Sequence, residues 1–288
     1  MEIIRTAAQM QQVAREARSG PIGLVPTMGA LHEGHFSLVR AARARCAPVV
    51  VSIFVNPTQF GPAEDLARYP RPFDADCAAL ASLGVDCVFA PTPEEMYPRG
   101  YCSAVVVERL GDRLEGRVRP GHFRGVTTVV LSLLNLVQPR LAFFGRKDAQ
   151  QLRIVRQMVA DLHVDTEIVA CPIVRESDGL AYSSRNAYLT PPERRAATVL
   201  SRSLRAAGRA IDEGERDACR LLNETRRIIG TERLATLDYA ELVDAETLEA
   251  VDRLERPALL LLAAVVGSTR LIDNAQIDTW HGRFTVVV

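Results

Sequence analysis

The run VVVSIFVNP, Val49 to Pro57, is apolar at nearly every position before its asparagine, as expected of a strand buried on both faces. Shorter apolar runs recur along the first part of the chain, and segments with helical spacing separate them: IGLVP, VDCVFAP, LAFF and TEIVA. Such alternation is typical of a parallel sheet with helices on both faces. We therefore predict an α/β fold with a Rossmann-like, doubly wound parallel sheet.

The regular alternation ends near Val174. Thr190, Pro191 and Glu193 then form the pattern of a helix start, with a capping residue, a proline in the first turn and a capping-box glutamate. The helices and strands that follow do not alternate. We predict two domains: residues 1–174 with the parallel sheet, and residues 175–288 as a smaller α+β domain that closes over the site.

Composition excludes several classes of protein. Lysine plus arginine equal aspartate plus glutamate, at 35 each, so no global positive field would collect nucleic acid. The N-terminus lacks the pattern of a signal peptide, and the longest apolar run, Ala258 to Gly267, is too short to span a bilayer. The cysteines show no metal-type spacing, and we expect reduced thiols in a cytoplasmic protein.

Four polar loops follow predicted strands, and together they are the main indication of a site: PTMGALHEGH, NPTQFG, FGRKDAQQ and RESDGLAYSSRN. In open parallel sheets, ligands bind beyond the carboxyl ends of the strands, where the strand order reverses. We expect these four loops to converge there.

The first loop places His32 and His35 near a predicted helix start. Gly29 permits a tight turn, and Gly34 permits close approach to a ligand. The helix dipole there favours an anion, so that the histidines could donate to phosphate oxygens. Two surface histidines without a function are the plain alternative. A zinc site is weaker, because the spacing is one residue short of the H-E-x-x-H pattern and no third ligand lies nearby.

The other three loops offer weaker signals. Amide side chains in the second could bind a hydroxyl or carboxylate, although Asn-Pro is also a simple turn former. In the third, Lys147 could follow a phosphoryl group and Asp148 could cap the next helix. The fourth reads either as a solvated linker or as a mobile clamp on phosphates, built from Ser183, Ser184 and Arg185.

Taken together, the loops resemble the pantothenate synthetase (pantoate–β-alanine ligase) family. The resemblance extends over nearly the whole chain and also includes EDLARYPR, RPGHFRGV and TRLIDN. HEGH is similar to the HIGH motif of the nucleotidylyltransferase and class I synthetase superfamily, and SSRN takes the place of its later KMSKS loop. The resemblance implies a ligase that condenses D-pantoate with β-alanine, using ATP and Mg²⁺, through a pantoyl adenylate. It also implies a homodimer.

The resemblance further implies functions for individual residues. His35 matches the position that is catalytic in the family, with His32 and Lys147 on the phosphates. The residues expected to bind ATP are Met28, Gly29, Ala30, Leu31, His32, Glu33, Gly34, His35, Gly145, Arg146, Lys147, Asp148, Val174, Tyr182, Ser183, Ser184 and Arg185. Those expected to bind pantoate or β-alanine are Gln59, Gln151, Asn56, Pro26, Val129, Val130 and Phe144.

Three positions depart from the pattern of the family. Tyr182 stands where many relatives have methionine, and Arg146 where they often have glutamate. The acidic pair that helps to place Mg²⁺ in some members reads Ala75-Asp76 here. Asp76 is therefore the one metal-site residue that we predict, acting through water.

Two other enzymes and a binding protein are alternatives. A nucleotidylyltransferase of the same superfamily would release pyrophosphate without the ligation step. A class I aminoacyl-tRNA synthetase would need a tRNA-binding domain, for which the short C-terminal part leaves little room. A non-catalytic nucleotide-binding module would bind ATP but not consume it.

Overall fold

A computed structural model of the protein describes residues 1–17, 20–62, 64–280 and 283–288. The chain forms two compact units: Met1–Arg146 with Gln150–Pro172, and Lys147–Ala149 with Ile173–Val288. Within the described part of the chain, no helix combines the length and apolarity needed to cross a membrane.

Strands and helices alternate up to residue 172. They are β1 Glu2–Ile4, α1 Ala7–Glu16, β2 Gly23–Thr27, α2 Glu33–Arg43, β3 Val49–Ile53, α3 Phe73–Ser82, β4 Cys87–Phe89, α4 Pro93–Met96, α5 Glu115–Val118, α6 His122–Val137, β5 Leu141–Gly145, α7 Ala149–Asp161 and β6 Glu167–Cys171. The six strands form one parallel sheet in the order β1-β4-β3-β2-β5-β6. This sheet confirms the predicted doubly wound fold.

Apolar strands form here because both faces of the sheet are covered. Val39 of α2 and Leu80 of α3 pack in one cluster with Val51 of β3. Leu24 and Val50 occupy intervening strand positions, whose side chains point to the opposite face, and both are fully buried. Helix α6 packs against helix α1 and strand β2. The sheet is therefore rigid and presents its carboxyl edge as a fixed frame.

The second unit is α+β, as predicted. Its helices and strands are α8 Pro191–Ala197, α9 Val199–Asp212, α10 Ala218–Ile229, β7 Ala235–Asp244, β8 Ala258–Val266, β9 Thr269–Trp280 and β10 Arg283–Val287. The strands form an antiparallel sheet in the order β10-β9-β8-β7. Leu200 and Leu204 of α9 and Leu221 of α10 pack against Leu260 and Leu262 of β8.

Two predicted helices differ in extent from those observed. The capping box at Thr190 and Glu193 is present, at 2.8 Å between the Thr190 nitrogen and the Glu193 carboxylate, but the helix is interrupted at Thr198. The apolar spacing of residues 126–137 predicts a helix over that range, but the observed helix begins at His122, because Gly121 takes a left-handed conformation that only glycine adopts readily and so opens the helix earlier.

Candidate active site

The strand order reverses at the pair β2–β5. From β2 the sheet continues through β3 and β4 on one side, and from β5 through β6 on the other. The segment Met28–His35 follows β2, and Gly145 is the last residue of β5. Both predicted segments therefore lie at the reversal, where parallel sheets bind ligands.

A buried carboxylate fixes the loop after β2. Asp76 Oδ2 accepts the backbone N–H of Ala30 at 2.8 Å, and Oδ1 accepts that of Leu31 at 2.9 Å. Gly29 and Ala30 both have positive φ angles, +76° and +50°. A Cβ on Gly29 would lie 3.1 Å from Asp76 Oδ2 and equally close to the Ile53 side chain. The turn therefore needs glycine at position 29 for both its conformation and its space.

These contacts bear on the prediction of a metal site at Asp76. The side chain is 4 % exposed, and burial raises the pKa of its carboxyl, while the N–H groups of Leu31 and Ala30 act in the opposite direction. Among the described residues, no group of three or more His, Cys, Asp or Glu side chains could hold a metal ion. The observed function of Asp76 is to hold the loop, and metal binding stays a prediction.

The histidine pair stands at the start of α2. His32 directly precedes Glu33, the first residue of this helix, and the rings of His32 and His35 lie 4.1 Å apart. The His32 backbone N–H donates to His35 Nδ1 at 3.4 Å. Because Nδ1 accepts, the proton of a neutral His35 ring lies on Nε2, which is then its donor. Beside the positive end of the helix dipole, this arrangement suits an anion.

Asn56 is an anchor for the turn after β3. It is 1 % exposed, and its Nδ2 donates to Gln59 Oε1 at 3.0 Å and to the Gly125 carbonyl at 3.1 Å. Its Oδ1 accepts from the Tyr97 hydroxyl at 2.8 Å and from Thr58 Oγ1 at 2.9 Å. Both ends of this amide are thus engaged within the protein, so Asn56 holds Gln59 in place.

Gln59 links this turn to the loop after β2. Its side chain is largely buried, with Nε2 3.1 Å from the Met28 sulfur. Gly125 of α6 supports the turn from behind, because a Cβ there would lie 2.4 Å from the Thr58 carbonyl oxygen. The structure therefore brings Met28, Asn56 and Gln59 together, as predicted for one site.

A second support of Gln59 was not predicted. The His122 Nδ1 lies 2.8 Å from the Gln59 carbonyl oxygen, and its Nε2 lies 3.0 Å from Arg119 NH1. Arg119 in turn forms two hydrogen bonds to Glu64, at 2.9 and 2.6 Å. Because a guanidinium only donates, His122 Nε2 must accept, and Nδ1 therefore donates to Gln59.

This network holds His122 neutral. Burial and the neighbouring Arg119 charge lower the pKa of His122 to about 4. Burial works to raise the pKa of Glu64, but the hydrogen bonds and charge of Arg119 outweigh it and lower that pKa. The segment RPGHFRGV drew attention in the sequence, yet its pairing with a glutamate 55 residues away carries no local signal.

The residues expected to line the pantoate pocket lie on neighbouring elements. Val129 and Val130 are buried on α6, which packs against β2, where Pro26 is half-buried. Phe144 is buried in β5, the sheet neighbour of β2.

The structure also distinguishes the two adjacent glutamines in the first turn of α7, Gln150 and Gln151. Gln150 is buried, and its amide is used within the protein: Nε2 donates to the carbonyls of Leu110 and Arg113, and Oε1 accepts from the Glu115 N–H. Gln151 is half-buried in the same helical turn. The predicted ligand contact thus falls on the more exposed of the two amides.

Lys147 lies in a 3₁₀-helical turn, Arg146–Asp148, that continues β5. Its ammonium is 3.7 Å from Asp148 Oδ1, and its carbonyl accepts a hydrogen bond from Asn274 Nδ2 at 2.9 Å. Lys147 and Asn274 both belong to the second unit. Asp148 directly precedes α7, and capping of that helix by its carboxylate stays a prediction.

The SSRN segment directly follows a closed hairpin and is bonded back to it through Asn186. Arg175 and Ala181 pair in antiparallel fashion, and the Tyr182 N–H donates to the Val174 carbonyl at 3.0 Å. Asn186 Nδ2 donates to the Ala181 carbonyl at 3.0 Å. Within the segment, Ser183 Oγ accepts the N–H of Arg185 at 3.3 Å, and Ser184 begins a 3₁₀-helical turn.

Comparison with known proteins gives a consistent result. Residues 2–276 match the family described as Pantoate-beta-alanine ligase. A pantothenate synthetase from Pelotomaculum thermopropionicum is 55 % identical over 277 residues, which are 96 % of this chain and 98 % of the relative. One from Acidobacterium capsulatum is 58 % identical over 263 residues, 91 % and 88 % of the two chains.

Solved structures of proteins with the same names are also similar to this chain. The pantothenate synthetase of Thermus thermophilus superposes with a TM-score of 0.91 at 45 % identity, covering 95 % of this chain and 98 % of its own. The pantoate-beta-alanine ligase of Francisella tularensis, complexed with beta-gamma ATP and beta-alanine, has a TM-score of 0.79 at 35 % identity, covering 95 % and 97 %.

A doubly wound sheet with a helix start suited to an anion at its strand reversal is typical of nucleotide-binding α/β proteins. The chain belongs to the pantoate–β-alanine ligase family. It is therefore a ligase that forms the amide bond between pantoate and β-alanine, and the alternative of a nucleotidylyltransferase without ligation is not supported.

The buried His122 predicts a pH dependence of stability. Its folded-state pKa of about 4 lies below the ordinary 6.5, so between these values the unfolded chain binds the additional proton. The free energy of unfolding should therefore rise with pH from about 4 to 6.5, by about 3 kcal/mol from this residue. Denaturant unfolding of His122→Asn across this range should lack that increment.

The matched control is His163→Asn, because His163 is an exposed histidine whose positive φ asparagine tolerates. It should retain the wild-type slope. An equal slope for wild type and His122→Asn would show that His122 is not held neutral by the fold.

Proposed function

We propose that the enzyme activates pantoate with ATP before the amide forms. A pantoate carboxylate oxygen attacks the α-phosphorus, the bond from this phosphorus to the bridging oxygen breaks, and pyrophosphate leaves. The amine of β-alanine then attacks the carbonyl carbon of the pantoyl adenylate. The carbon–oxygen bond to AMP breaks, AMP leaves, and the nitrogen loses a proton.

One observation carries this proposal: the loop held by Asp76 leads into α2 at the strand reversal, with His32 at the cap of the helix and His35 in its first turn. A helix start of this kind binds phosphate groups, and a His35 Nε2 donor there could stabilise charge that develops on them. The Francisella tularensis relative, which was solved with an ATP analogue and β-alanine, supports the same substrates for this chain.

Lys147 has a further argument in its favour. It is the only lysine of the chain, and every other basic side chain counted with it is an arginine. An ammonium is a compact charge on a flexible stem, whereas a guanidinium is a rigid planar fork. We infer that position 147 requires the ammonium, which can follow the phosphates as the pyrophosphate leaves.

The other nucleotide contacts follow the resemblance to the family. We propose that the hydroxyls of Ser183 and Ser184 and the guanidinium of Arg185 donate to phosphates, and that this segment closes on the nucleotide with its domain, residues 175–288. Backbone groups and walls of the nucleotide site are proposed at Met28–Gly34, Gly145, Arg146, Asp148, Val174 and Tyr182.

For pantoate, we propose that the amides of Gln59 and Gln151 bind its polar groups. The fixed position of Gln59, held by Asn56 and His122, supports this assignment. The apolar side chains of Val129, Val130 and Phe144 suit the gem-dimethyl group of pantoate. β-Alanine would then approach from the Gln59 side.

Magnesium is proposed to enter as part of the ATP complex. Mg²⁺ usually takes one or two carboxylates together with substrate phosphates and waters. Asp76 is the one acidic residue predicted for it, and its two oxygens already accept backbone N–H groups. We therefore assign the ion to the nucleotide as substrate rather than to a resident site.

We also propose a homodimer in the cytoplasm that binds no nucleic acid and no membrane. The homodimer rests on resemblance alone. The zero formal charge and six free cysteines, four of them buried, support the other assignments.

An omission experiment tests the proposed function. The protein is mixed with ATP, Mg²⁺, pantoate and β-alanine, each left out in turn, and both pyrophosphate and AMP are assayed. Pyrophosphate should form without β-alanine, up to the amount of enzyme, and AMP should require all components. Pyrophosphate release that depends on β-alanine would contradict a separate adenylation step.

Single substitutions test the phosphate donors. His35→Ala and Lys147→Ala should each lower the rate of pantoate-dependent pyrophosphate release by about 100-fold or more, the usual scale for one transition-state donor. His163→Asn serves as the control and should match wild type. A wild-type rate in either donor variant would remove that residue from the site.

A further inference from the structure

Two successive residues of β9 hold two separate segments of the proposed nucleotide site. Asn274 Nδ2 donates to the Lys147 carbonyl at 2.9 Å. Asp273 accepts two hydrogen bonds from Arg175, at 2.7 and 2.9 Å, and one from the Asn274 N–H at 2.8 Å. Asp273 and Asn274 are 3 % and 1 % exposed, so both bonds lie in the interior.

The Asp273 contact extends to the SSRN segment. Arg175 NH1 also donates to the Gly179 carbonyl at 3.1 Å, which closes the hairpin across its tip. The pairing of Arg175 with Ala181 then leads directly into Tyr182 and Ser183. A bidentate arginine–carboxylate pair has a fixed geometry, so Asp273 sets the position and the angle of the hairpin.

The Lys147 turn and the SSRN segment lie beside the same cavity. Lys147, Ala181, Ser183 and Asp273 line a common small cavity of about 10 Å³, which has room for about one water. Of the residues between β5 and the body of α7, only Lys147–Ala149 belong to the second unit. The bond from Asn274 to the Lys147 carbonyl therefore lies within the second unit.

We infer that Asp273 and Asn274 are positioning residues that hold Lys147 and the Ser183–Arg185 segment as one rigid group of phosphate donors. The inference rests on the proposed function of these donors. Charge stabilisation requires donors that are already in place when the phosphates react, and small displacements are costly. A long lysine side chain gains this precision only when its backbone is fixed.

Asn274 offers the sharper test, because loss of Asp273 would leave the buried Arg175 charge unpaired and endanger the fold. Asn274→Ala should lower the rate of pantoate-dependent pyrophosphate release by about tenfold or more. Asn274→Ser provides a second variant if the alanine protein does not fold. Asn223→Ala, an exposed asparagine on α10, should match wild type.

A double-mutant cycle separates positioning from a general structural effect. If Asn274 acts through Lys147, Asn274→Ala combined with Lys147→Ala should be no slower than Lys147→Ala alone. Multiplying effects, or a wild-type rate in the single Asn274 variants, would overturn the inference.

Lysine-selective acylation gives a readout that does not depend on activity. Because Lys147 is the only lysine, such a reagent labels it and the N-terminal amine alone, and the latter is an internal standard. ATP should protect Lys147 in wild type, and this protection should fall at least severalfold in Asn274→Ala. Absence of protection in wild type, with a wild-type rate in Lys147→Ala, would remove Lys147 from the site and overturn the inference while leaving the adenylation reaction in place, whereas protection equal in both proteins would refute only the positioning.

Discussion

The Asp76 carboxylate accepts the backbone N–H groups of Ala30 and Leu31 from inside the protein. Ala30 has a positive φ of +50°, which is strained for a residue other than glycine, and the hydrogen bond from its N–H to Asp76 supports this conformation. The loop in turn determines where α2 begins and how His32 and His35 stack. A residue 41 positions along the chain from His35 thus fixes the loop that leads into this helix start.

The same design recurs elsewhere in the molecule. Asn56, Tyr97 and His122 hold the turn that carries Gln59, and Asn274 holds the backbone of Lys147. In each case a buried polar side chain supports the backbone or side chain of a proposed ligand-binding residue. Chemistry that depends on positioning and charge stabilisation needs such supports, because its donors must not reorganise during the reaction.

Sequence patterns predicted the parts that depend on local periodicity. The strands β2–β6 were found because burial on both faces requires apolar runs, and the site loops because polar residues follow those strands. The edge strand β10 was missed, since its residues are all exposed or half-buried and form no continuous buried run. The Glu64–Arg119–His122 network and the Asn274 bond were also missed, because they join segments 55 to 127 residues apart. The preference for Gln151 over Gln150 could be assigned only by resemblance, and it is the structure that distinguishes their surroundings.

The central claim is that Asp76 holds the loop that follows β2. Amide hydrogen exchange of wild type and Asp76→Asn, without nucleotide or Mg²⁺, tests it independently of any metal. An asparagine of the same shape keeps one acceptor but turns an N–H₂ group towards the other backbone N–H. Exchange at Ala30 and Leu31 should therefore accelerate by about tenfold or more, as for the loss of one hydrogen bond to a charged group, while β3 keeps its protection. Unchanged protection at both amides would contradict the account.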